Sequence, residues 1–448
     1  MERKKKNSLK SFLALTLAFI MVLGVSPIGE LAGIDFAELF GLKAAAEGDA
    51  LTEGIYTYEI VDGTAQITDC DTTAAGDIVI PSELGGHPVT SIGVYAFNDC
   101  KGFTSVTIPD SVTSIGLQAF DSCTGLTSVT IPGNVTHIDG APFAFCKSLV
   151  NIIVDNNNEK YSSNDGVLFN KEQTLLVQYP AGKQNSTYAI PYGVTDVGYG
   201  AFIQCETLMD VTIPDSVTNI GYGAFCYCTG LTSITIPDSV KIIDEIAFAG
   251  CNGLTSIEIP DSVTTIGVQA FSDCCNLTSV TIGVGVMNIG KGVFWSDECL
   301  ANITVDENNK KYSSKDDVLF DKEKTALILY PEGKQDNTYT VPDGVEKIGS
   351  YAFYGCDSLT SVAIPDSVTG IEKEAFFSCS NLKRATIGSG VTSIGESAFY
   401  YCNSLKDIYF TGTEEQWNKI VISNGNDCLN NAVIHYESAI CISHKWGS

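Results

Sequence analysis

The stretch that decides the fold runs from Ile108 to Pro132 and reads Ile-Pro-Asp-Ser-Val-Thr-Ser-Ile-Gly over 108–116, Ala119-Phe120, Cys123, then Leu-Thr-Ser-Val-Thr-Ile-Pro over 126–132. Its phenylalanine recurs with one constant spacing in three runs: Phe97, Phe120, Phe143; Phe202, Phe225, Phe248, Phe271, Phe294; and Phe353, Phe376, Phe399. A fixed period of about 20 to 50 residues is typical of a solenoid. The repeat therefore predicts one elongated array rather than several globular domains.

Each part of the unit has a predicted local structure. Val129 and Ile131 alternate with Ser128 and Thr130, which favours a half-buried strand. Pro132 ends this strand because proline cannot donate to a ladder of backbone hydrogen bonds. Ala119-Phe120 is predicted to begin a short helical or 3₁₀ segment on the outer side. The predicted class is thus a β-rich α/β repeat whose parallel strands lie on one face.

The period is broken twice by the same amount. The interval from Phe143 to Phe202 equals the interval from Phe294 to Phe353, and both are much longer than one period. The two insertions responsible, near 153–190 and 304–341, share matching residues at a constant offset, such as Tyr179-Pro180 and Tyr330-Pro331. We expect each to form an extra β-hairpin, and the shared offset indicates duplication of a whole block.

The two ends differ from the array, which spans 76–404. Residues 1–46 combine a basic start, an apolar run over 12–25 and Ala44-Ala45-Ala46, a pattern typical of a cleaved signal peptide, with an uncleaved anchor as the alternative. Residues 47–75 predict a β-hairpin that caps the first rung. Residues 405–437 predict a C-terminal cap that includes a helix beginning at the capping box Thr413-Glu414-Glu415-Gln416. The tail, 438–448, has no readable pattern.

The repeat unit L-x-x-V/I-x-I-P-x-x-V-x-x-I-G-x-x-A-F-x-x-C resembles the leucine-rich repeat of the BspA-like bacterial surface proteins over roughly residues 76–410. This resemblance implies a right-handed leucine-rich repeat solenoid with its parallel strands on the concave face. It also implies a secreted or cell-surface location, and a role in adhesion or protein binding, with extracellular matrix proteins as one class of partner.

Composition and motifs argue against several other functions. The formal net charge of −27 disfavours nucleic acid and anionic membranes as partners. The internal sequence has no apolar run long enough for a membrane span. We find no catalytic motif, and Asp155-Asn156-Asn157-Asn158 and its counterpart over 306–309 favour turns over calcium loops. The sequence thus predicts no enzyme, no cofactor and no metal site.

Cysteines follow the same period as the phenylalanines. Ten of the 16 are in phase: Cys100, Cys123, Cys146; Cys205, Cys228, Cys251, Cys274; Cys356, Cys379, Cys402. Stacked rungs would bring their Cα atoms within disulfide range, but their Cβ vectors would be parallel. A ladder of buried free thiols is therefore favoured over disulfides.

Candidate binding residues lie where the repeat departs from its consensus. The strand positions occupied by Ser and Thr in most rungs become Arg384 in one rung and Asp407 and Tyr409 in the next, with Lys383 and Lys406 alongside. A second candidate surface is an aromatic row formed by Tyr354, Phe377 and Tyr400, for which packing between rungs is the alternative. The leading hypothesis is a protein ligand bound at these positions. A glycan ligand and a passive spacer or envelope component remain as alternatives.

Overall fold

The computed structural model describes residues 50–437, so the predicted signal peptide and tail lie outside the described residues. These residues form a parallel β-solenoid in which a regular rung contributes two strands, one on each of two faces. We call these the long-strand face and the short-strand face. Nearly all of the hydrophobic core lies between the faces and a third side made of turns.

The long-strand face contains the strands predicted from the Val129 and Ile131 pattern. The strands form four sheets, within which neighbours pair in parallel, and the pairing joins equivalent positions of successive repeats, as in Ser105↔Ser128 and Asp210↔Ser233. The strands are Ala75–Val79, Gly102–Thr107, Ser128–Ile131, Asn151–Val154, Thr187–Ala189, Asp210–Thr212, Ser233–Thr235, Ser256–Ile259, Ser279–Ile282, Asn302–Val305, Thr338–Thr340, Ser361–Ile364, Arg384–Ile387, Asp407–Phe410 and Val433–Tyr436.

The short-strand face is built mainly from two-residue strands that the sequence did not single out. In the Ile108 unit it is Ser114–Ile115, which pairs in parallel with His137–Ile138 of the next rung. Ile115 is buried, so the residue predicted to point inward does so. The strands are His87–Ile92, Ser114–Ile115, His137–Ile138, Asp196–Val197, Asn219–Ile220, Ile242–Ile243, Thr265–Ile266, Asn288–Ile289, Lys347–Ile348, Gly370–Ile371, Ser393–Ile394 and Val421–Ile422.

Additional strands cover the start of the array. Tyr56–Val61 pairs antiparallel with Leu51–Glu53 and with Thr64–Cys70. Thr64–Cys70 then pairs in parallel with His87–Ile92, which also pairs with the short strand Glu83–Leu84. The first edge of the short-strand face is therefore covered, which removes a surface open to edge-to-edge association.

The end of the array contains two short helices, Glu414–Trp417 and Asp427–Asn431. The predicted capping box is present, because the Thr413 side chain accepts from the Gln416 amide and the Gln416 side chain accepts from the Thr413 amide. Trp417 packs edge-to-face on Phe410 with a centroid distance of 5.3 Å. The helix thus covers the last part of the core.

The third side consists of consecutive turns rather than the predicted helical or 3₁₀ segments. Gln118 and Ser122, which flank Ala119-Phe120, have φ angles of 49° and 57°, and a left-handed residue interrupts a right-handed helix. The turns are held instead by hydrogen bonds between rungs, with Phe120 N donating to Pro142 O at 2.8 Å and Ser122 N to Ala144 O at 2.9 Å. This side is therefore also a parallel ladder.

The repeat phenylalanines form a stack along the core. Phe202, Phe225 and Phe248 are completely buried, with centroid distances of 4.8 and 5.1 Å and interplanar angles of 6° and 2°. Tyr179 and Tyr330 occupy the same position, because they stack on Phe202 and Phe353 at 5.3 and 5.1 Å. Each of the two long intervals therefore contains an aromatic rung that the phenylalanine spacing did not reveal.

The two insertions form the predicted hairpins and also divide the core. The first contains Tyr161–Asn164, Val167–Asn170 and Leu175–Gln178, and the second contains Tyr312–Lys315, Val318–Asp321 and Ala326–Leu329. Neighbouring strands within each set are antiparallel, and the last strand of each resumes the parallel stack. Leu168 packs in the N-terminal core, whereas Val167 and Phe169 pack in the central core. Alternate side chains of this one hairpin strand therefore pack into two different cores, and the strand forms the boundary between them.

A buried asparagine anchors each hairpin. Asn158 Nδ2 donates to the carbonyls of Pro132 and Val135 at 2.9 and 3.0 Å, and its Oδ1 accepts from the amides of Lys160 and Tyr161. Asn309 makes the equivalent four bonds in the second hairpin. The Asn-rich segments are thus turns in the structure, as predicted, and their function is to fix the hairpin to the preceding rung.

The ten in-phase cysteines are buried free thiols, as predicted. In seven of them Sγ donates to the carbonyl of the preceding rung's phenylalanine at no more than 3.2 Å, as Cys251 does to Phe225 at 3.1 Å. Where the backbone hydrogen-bond ladder of the third side breaks, a side-chain oxygen takes the place of the carbonyl of the next rung. Gln178 Oε1 accepts from Phe143 N, and Asn426 Oδ1 accepts from Phe399 N, both at 3.0 Å.

Candidate functional site

The long-strand face changes its chemistry over the last three strands. Pairing of Arg384–Ile387 with Asp407–Phe410, and of Asp407–Phe410 with Val433–Tyr436, places Arg384 opposite Asp407, and Tyr409 opposite His435. Outward-facing residues at these positions in the earlier rungs are mostly Ser, Thr and Asn. The predicted strand residues Arg384, Asp407 and Tyr409 therefore come together on one surface, together with a histidine that was not predicted.

Four of these side chains contact one another. The Arg384 guanidinium carbon lies 5.0 Å from the centroid of the Tyr409 ring, a cation–π distance. Tyr409 stacks on His435 with a centroid distance of 4.5 Å and an angle of 14°. His435 Nε2 lies 2.8 Å from Asp407 Oδ1. The cluster has cationic, anionic and aromatic groups side by side and partly open to solvent.

Lys383 and Lys406 flank this cluster. Both are exposed, and their backbones are adjacent because Lys406 N donates to Lys383 O at 3.0 Å. We name the set Lys383, Arg384, Lys406, Asp407, Tyr409 and His435 the C-terminal patch. Exposed arginine and tyrosine side chains are enriched in protein interfaces, which favours a partner rather than a small substrate.

His435 was missed because the histidines share no phase in the repeat. The separation of Tyr409 and His435 is longer than one period, since the helical cap lies between their strands. A strand after the cap, in register with Asp407–Phe410, is the signal that could have placed His435 next to Tyr409.

The aromatic row is largely a packing element. Tyr354 stacks on Phe377 at 5.3 Å with an angle of 4°, and Phe377 contacts Tyr400 at 5.4 Å. Phe377 is 7% exposed and Tyr354 and Tyr400 are only partly accessible. Tyr401, at the end of the row, is 51% exposed. The structure therefore does not bring this row into the C-terminal patch, and it favours the packing alternative for Phe377.

The repeat profile of one family covers most of the chain. The family described as "BspA type Leucine rich repeat region (6 copies)" matches residues 73–174, 183–317 and 333–439. The chain belongs to the BspA-type leucine-rich repeat family. The two gaps in the match fall at the hairpins, where the structure departs from the regular rung. No curated protein matches the chain significantly.

Solved structures include similar bacterial proteins. A leucine-rich cell surface protein of Faecalibacterium prausnitzii is 32% identical, with 84% of this chain and 99% of that chain covered and a TM-score of 0.42. A leucine-rich repeat protein of Bacteroides ovatus is 24% identical, covering 87% and 100%, with a TM-score of 0.43. A leucine-rich repeat protein of Treponema pallidum is 28% identical, covering 50% and 88%, with a TM-score of 0.30.

Two further findings concern the described residues alone. Over 50–437, no helix is long and apolar enough to cross a membrane. Within the same range, His, Cys, Asp and Glu side chains form no group of three or more arranged to hold a metal ion.

Proposed function

We propose that this BspA-type chain is a secreted or cell-surface adhesion protein that binds a protein partner through the C-terminal patch. The observation that carries the proposal is the contact of Arg384, Tyr409, His435 and Asp407 at the end of the long-strand face. Membership of a leucine-rich repeat family supports a protein-binding scaffold. An extracellular matrix protein is the first partner class to test.

The charge of the patch supports a partner with an acidic contact surface. Lys383, Arg384 and Lys406 are exposed, whereas Asp407 lies against His435. This cationic group contrasts with the overall charge of −27. Opposite charges across an interface mainly raise the association rate and fix the orientation of the partner.

The test is binding of immobilised matrix proteins, with a bacterial cell-wall glycan as the second ligand class. The variant Arg384→Ala with Tyr409→Ala removes the cation–π pair and should weaken binding of the partner at least tenfold. The matched control is Ser256→Ala with Glu258→Ala, at the two equivalent strand positions of a central rung.

Equal binding by both double variants, or binding of a glycan but no matrix protein, would contradict the proposal. Binding that falls steeply with salt for the native protein and less steeply for Lys383→Ala with Lys406→Ala would support the role of the cationic flank.

A further inference from the structure

The two hairpin junctions are related by the offset of the duplicated block but are filled by different side chains. At the first junction the positions hold Ala144, Ala181 and Ile203, and Ala144 and Ile203 belong to a small apolar cluster against which partly buried tyrosines pack. At the second junction the same positions hold Trp295, Glu332 and Tyr354. The duplicated block therefore provides an internal comparison, in which these three positions hold aliphatic side chains at one junction and two aromatic rings and a carboxylate at the other.

The second junction contains a cavity of about 240 Å³ lined in part by Trp295, Glu332, Tyr351 and Tyr354. The three rings are in contact at one side of the cavity: Trp295 lies 5.3 Å from Tyr351 at 49° and packs edge-to-face with Tyr354 at 4.7 Å and 83°. The cavity exceeds the roughly 150 Å³ that accommodates benzene. It can therefore hold a group of a few heavy atoms against the aromatic faces.

The Glu332 side chain packs against Gly355 of the next rung. Its carboxylate lies so close to Gly355 that a Cβ atom at position 355 would collide with Oε1. At the first junction the equivalent pair is Ala181 and Gln204, where the short alanine leaves room for a side chain. The described residues provide no hydrogen bond or ion pair for the Glu332 carboxylate.

The charges around the cavity also differ from those at the first junction. Lys147 and Glu206 form an ion pair of 2.9 Å at the first junction, and their counterparts at the second are Glu298 and Asp357, both acidic. Asp273 stands where the first junction has Ser122. Among the described lining residues only Lys291 is cationic, and it is exposed. The cavity therefore has a strongly negative surrounding.

We propose that the cavity at the second hairpin junction binds an alkylammonium group, either of a small quaternary ammonium compound or of a lysine side chain on a partner. Aromatic faces attract such cations through their quadrupoles, most strongly where water is excluded. The Glu332 carboxylate supplies the opposite charge when it is ionised. This site is separate from the C-terminal patch, so either proposal can fail without the other.

The test is a titration of the full chain with tetramethylammonium, with Nα-acetyl-lysine methylamide and with tert-butanol as a neutral compound of similar shape, at constant ionic strength. Trp295 fluorescence and calorimetry report binding. We expect one or both ammonium compounds to bind at least tenfold more tightly than tert-butanol, and their ranking distinguishes a free quaternary ligand from a lysine side chain.

Two variants separate charge from shape. Glu332→Gln should weaken ammonium binding about tenfold or more, and Glu307→Gln, which removes an exposed carboxylate of the same insertion, should leave it unchanged. Gly355→Ala displaces the Glu332 carboxylate and should weaken binding while leaving Glu332 in the chain. Equal affinity for tert-butanol, tighter binding of a neutral sugar, or unchanged ammonium binding by Glu332→Gln would overturn the proposal.

Discussion

Asp297 is the residue at which the cysteine ladder is broken by a buried carboxyl group. It lies one period after Cys274 and is completely buried, and within the described part of the chain its Oδ2 has no hydrogen-bond partner. Its Oδ1 accepts from Cys274 N at 2.7 Å. We predict that Asp297→Cys, which restores the repeat residue, raises the free energy of unfolding at neutral pH.

The magnitude follows from the groups that change. A buried polar group without a partner costs about 1–3 kcal/mol, and losing the bond from Cys274 N costs about 0.5–1.5 kcal/mol. That amide can return to the Phe271 carbonyl, as Cys251 N bonds Phe248 O at 3.2 Å one rung earlier. The difference between these two contributions gives an expected net gain of about 1 kcal/mol near pH 4, to which the ionisation of the unfolded chain adds as the pH rises.

The gain should depend on pH. Burial, followed by the repulsion of Glu332 and Asp273, raises the pKa of Asp297 well above its usual value, and only the bond from Cys274 N opposes this. The folded protein therefore binds the proton more tightly than the unfolded chain, so native stability falls as pH rises above about 4. The slope approaches about 1.4 kcal/mol per pH unit while only the unfolded chain is ionised. The advantage of Asp297→Cys should be larger at pH 7.5 than at pH 4.5.

The assay is urea unfolding followed by the fluorescence of Trp295, which lies close to the substitution in the chain, in the presence of a reductant. Asp297→Asn is the control, because it keeps the acceptor oxygen but cannot ionise, and it should lose the same pH dependence. Since Glu332 and Asp273 titrate in both proteins, the difference between variants isolates residue 297. An Asp297→Cys protein that is less stable at pH 7.5, or a difference that does not change with pH, would refute the reasoning.

Three further predictions concern other parts of the chain. Phe225→Ala should lower the free energy of unfolding by about 3–5 kcal/mol because it empties a fully buried position, whereas Tyr401→Ala, at an exposed ring, should change it by less than about 0.5 kcal/mol; urea midpoints compare the two. Asn158→Ala leaves buried hairpin groups unpaired, and hydrogen exchange should show faster exchange over 158–170 but not over the second hairpin. Tetramethylammonium should bind more tightly as pH rises from 6.5 to 9, since burial and then Glu298, Asp357 and Asp273 raise the pKa of Glu332 to about 8. The response should flatten in Glu332→Gln, because burial raises the pKa of Asp273 only to about 6, below this range; Lys291, Tyr330, Tyr351 and Tyr354 are the other titratable residues that line the cavity.

The period, the long strands and the hairpins could be predicted because each leaves a local signal. Val129 and Ile131 alternate with polar residues, and Pro132 marks the strand end. The turns on the third side could not be distinguished from a helix, because Gln118 and Ser122 are ordinary residues held in a left-handed conformation by bonds to the next rung. That conformation depends on a neighbour a full period further along the chain.

The candidate site was predictable only in part, for the same reason. Arg384, Asp407 and Tyr409 stand out because they replace small hydroxyl residues, but His435 joins them through pairing with a cap of different length. The spacing of identical residues does not reveal the repeat positions of Asp297 and Tyr179, because each occupies a regular position in the repeat with a different side chain. A register counted by position rather than by residue type would have found both.

The hairpin strands that divide the core also have a mechanical consequence. Over the described residues, the N-terminal, central and C-terminal cores form separate clusters, because alternate residues of one strand pack on opposite sides, and a small cluster that includes Ala144 and Ile203 is what bridges the first junction. A chain pulled from its two ends should therefore rupture in three successive force peaks rather than unravel rung by rung. In such a molecule one segment can unfold under load while the other two stay folded and keep their surfaces.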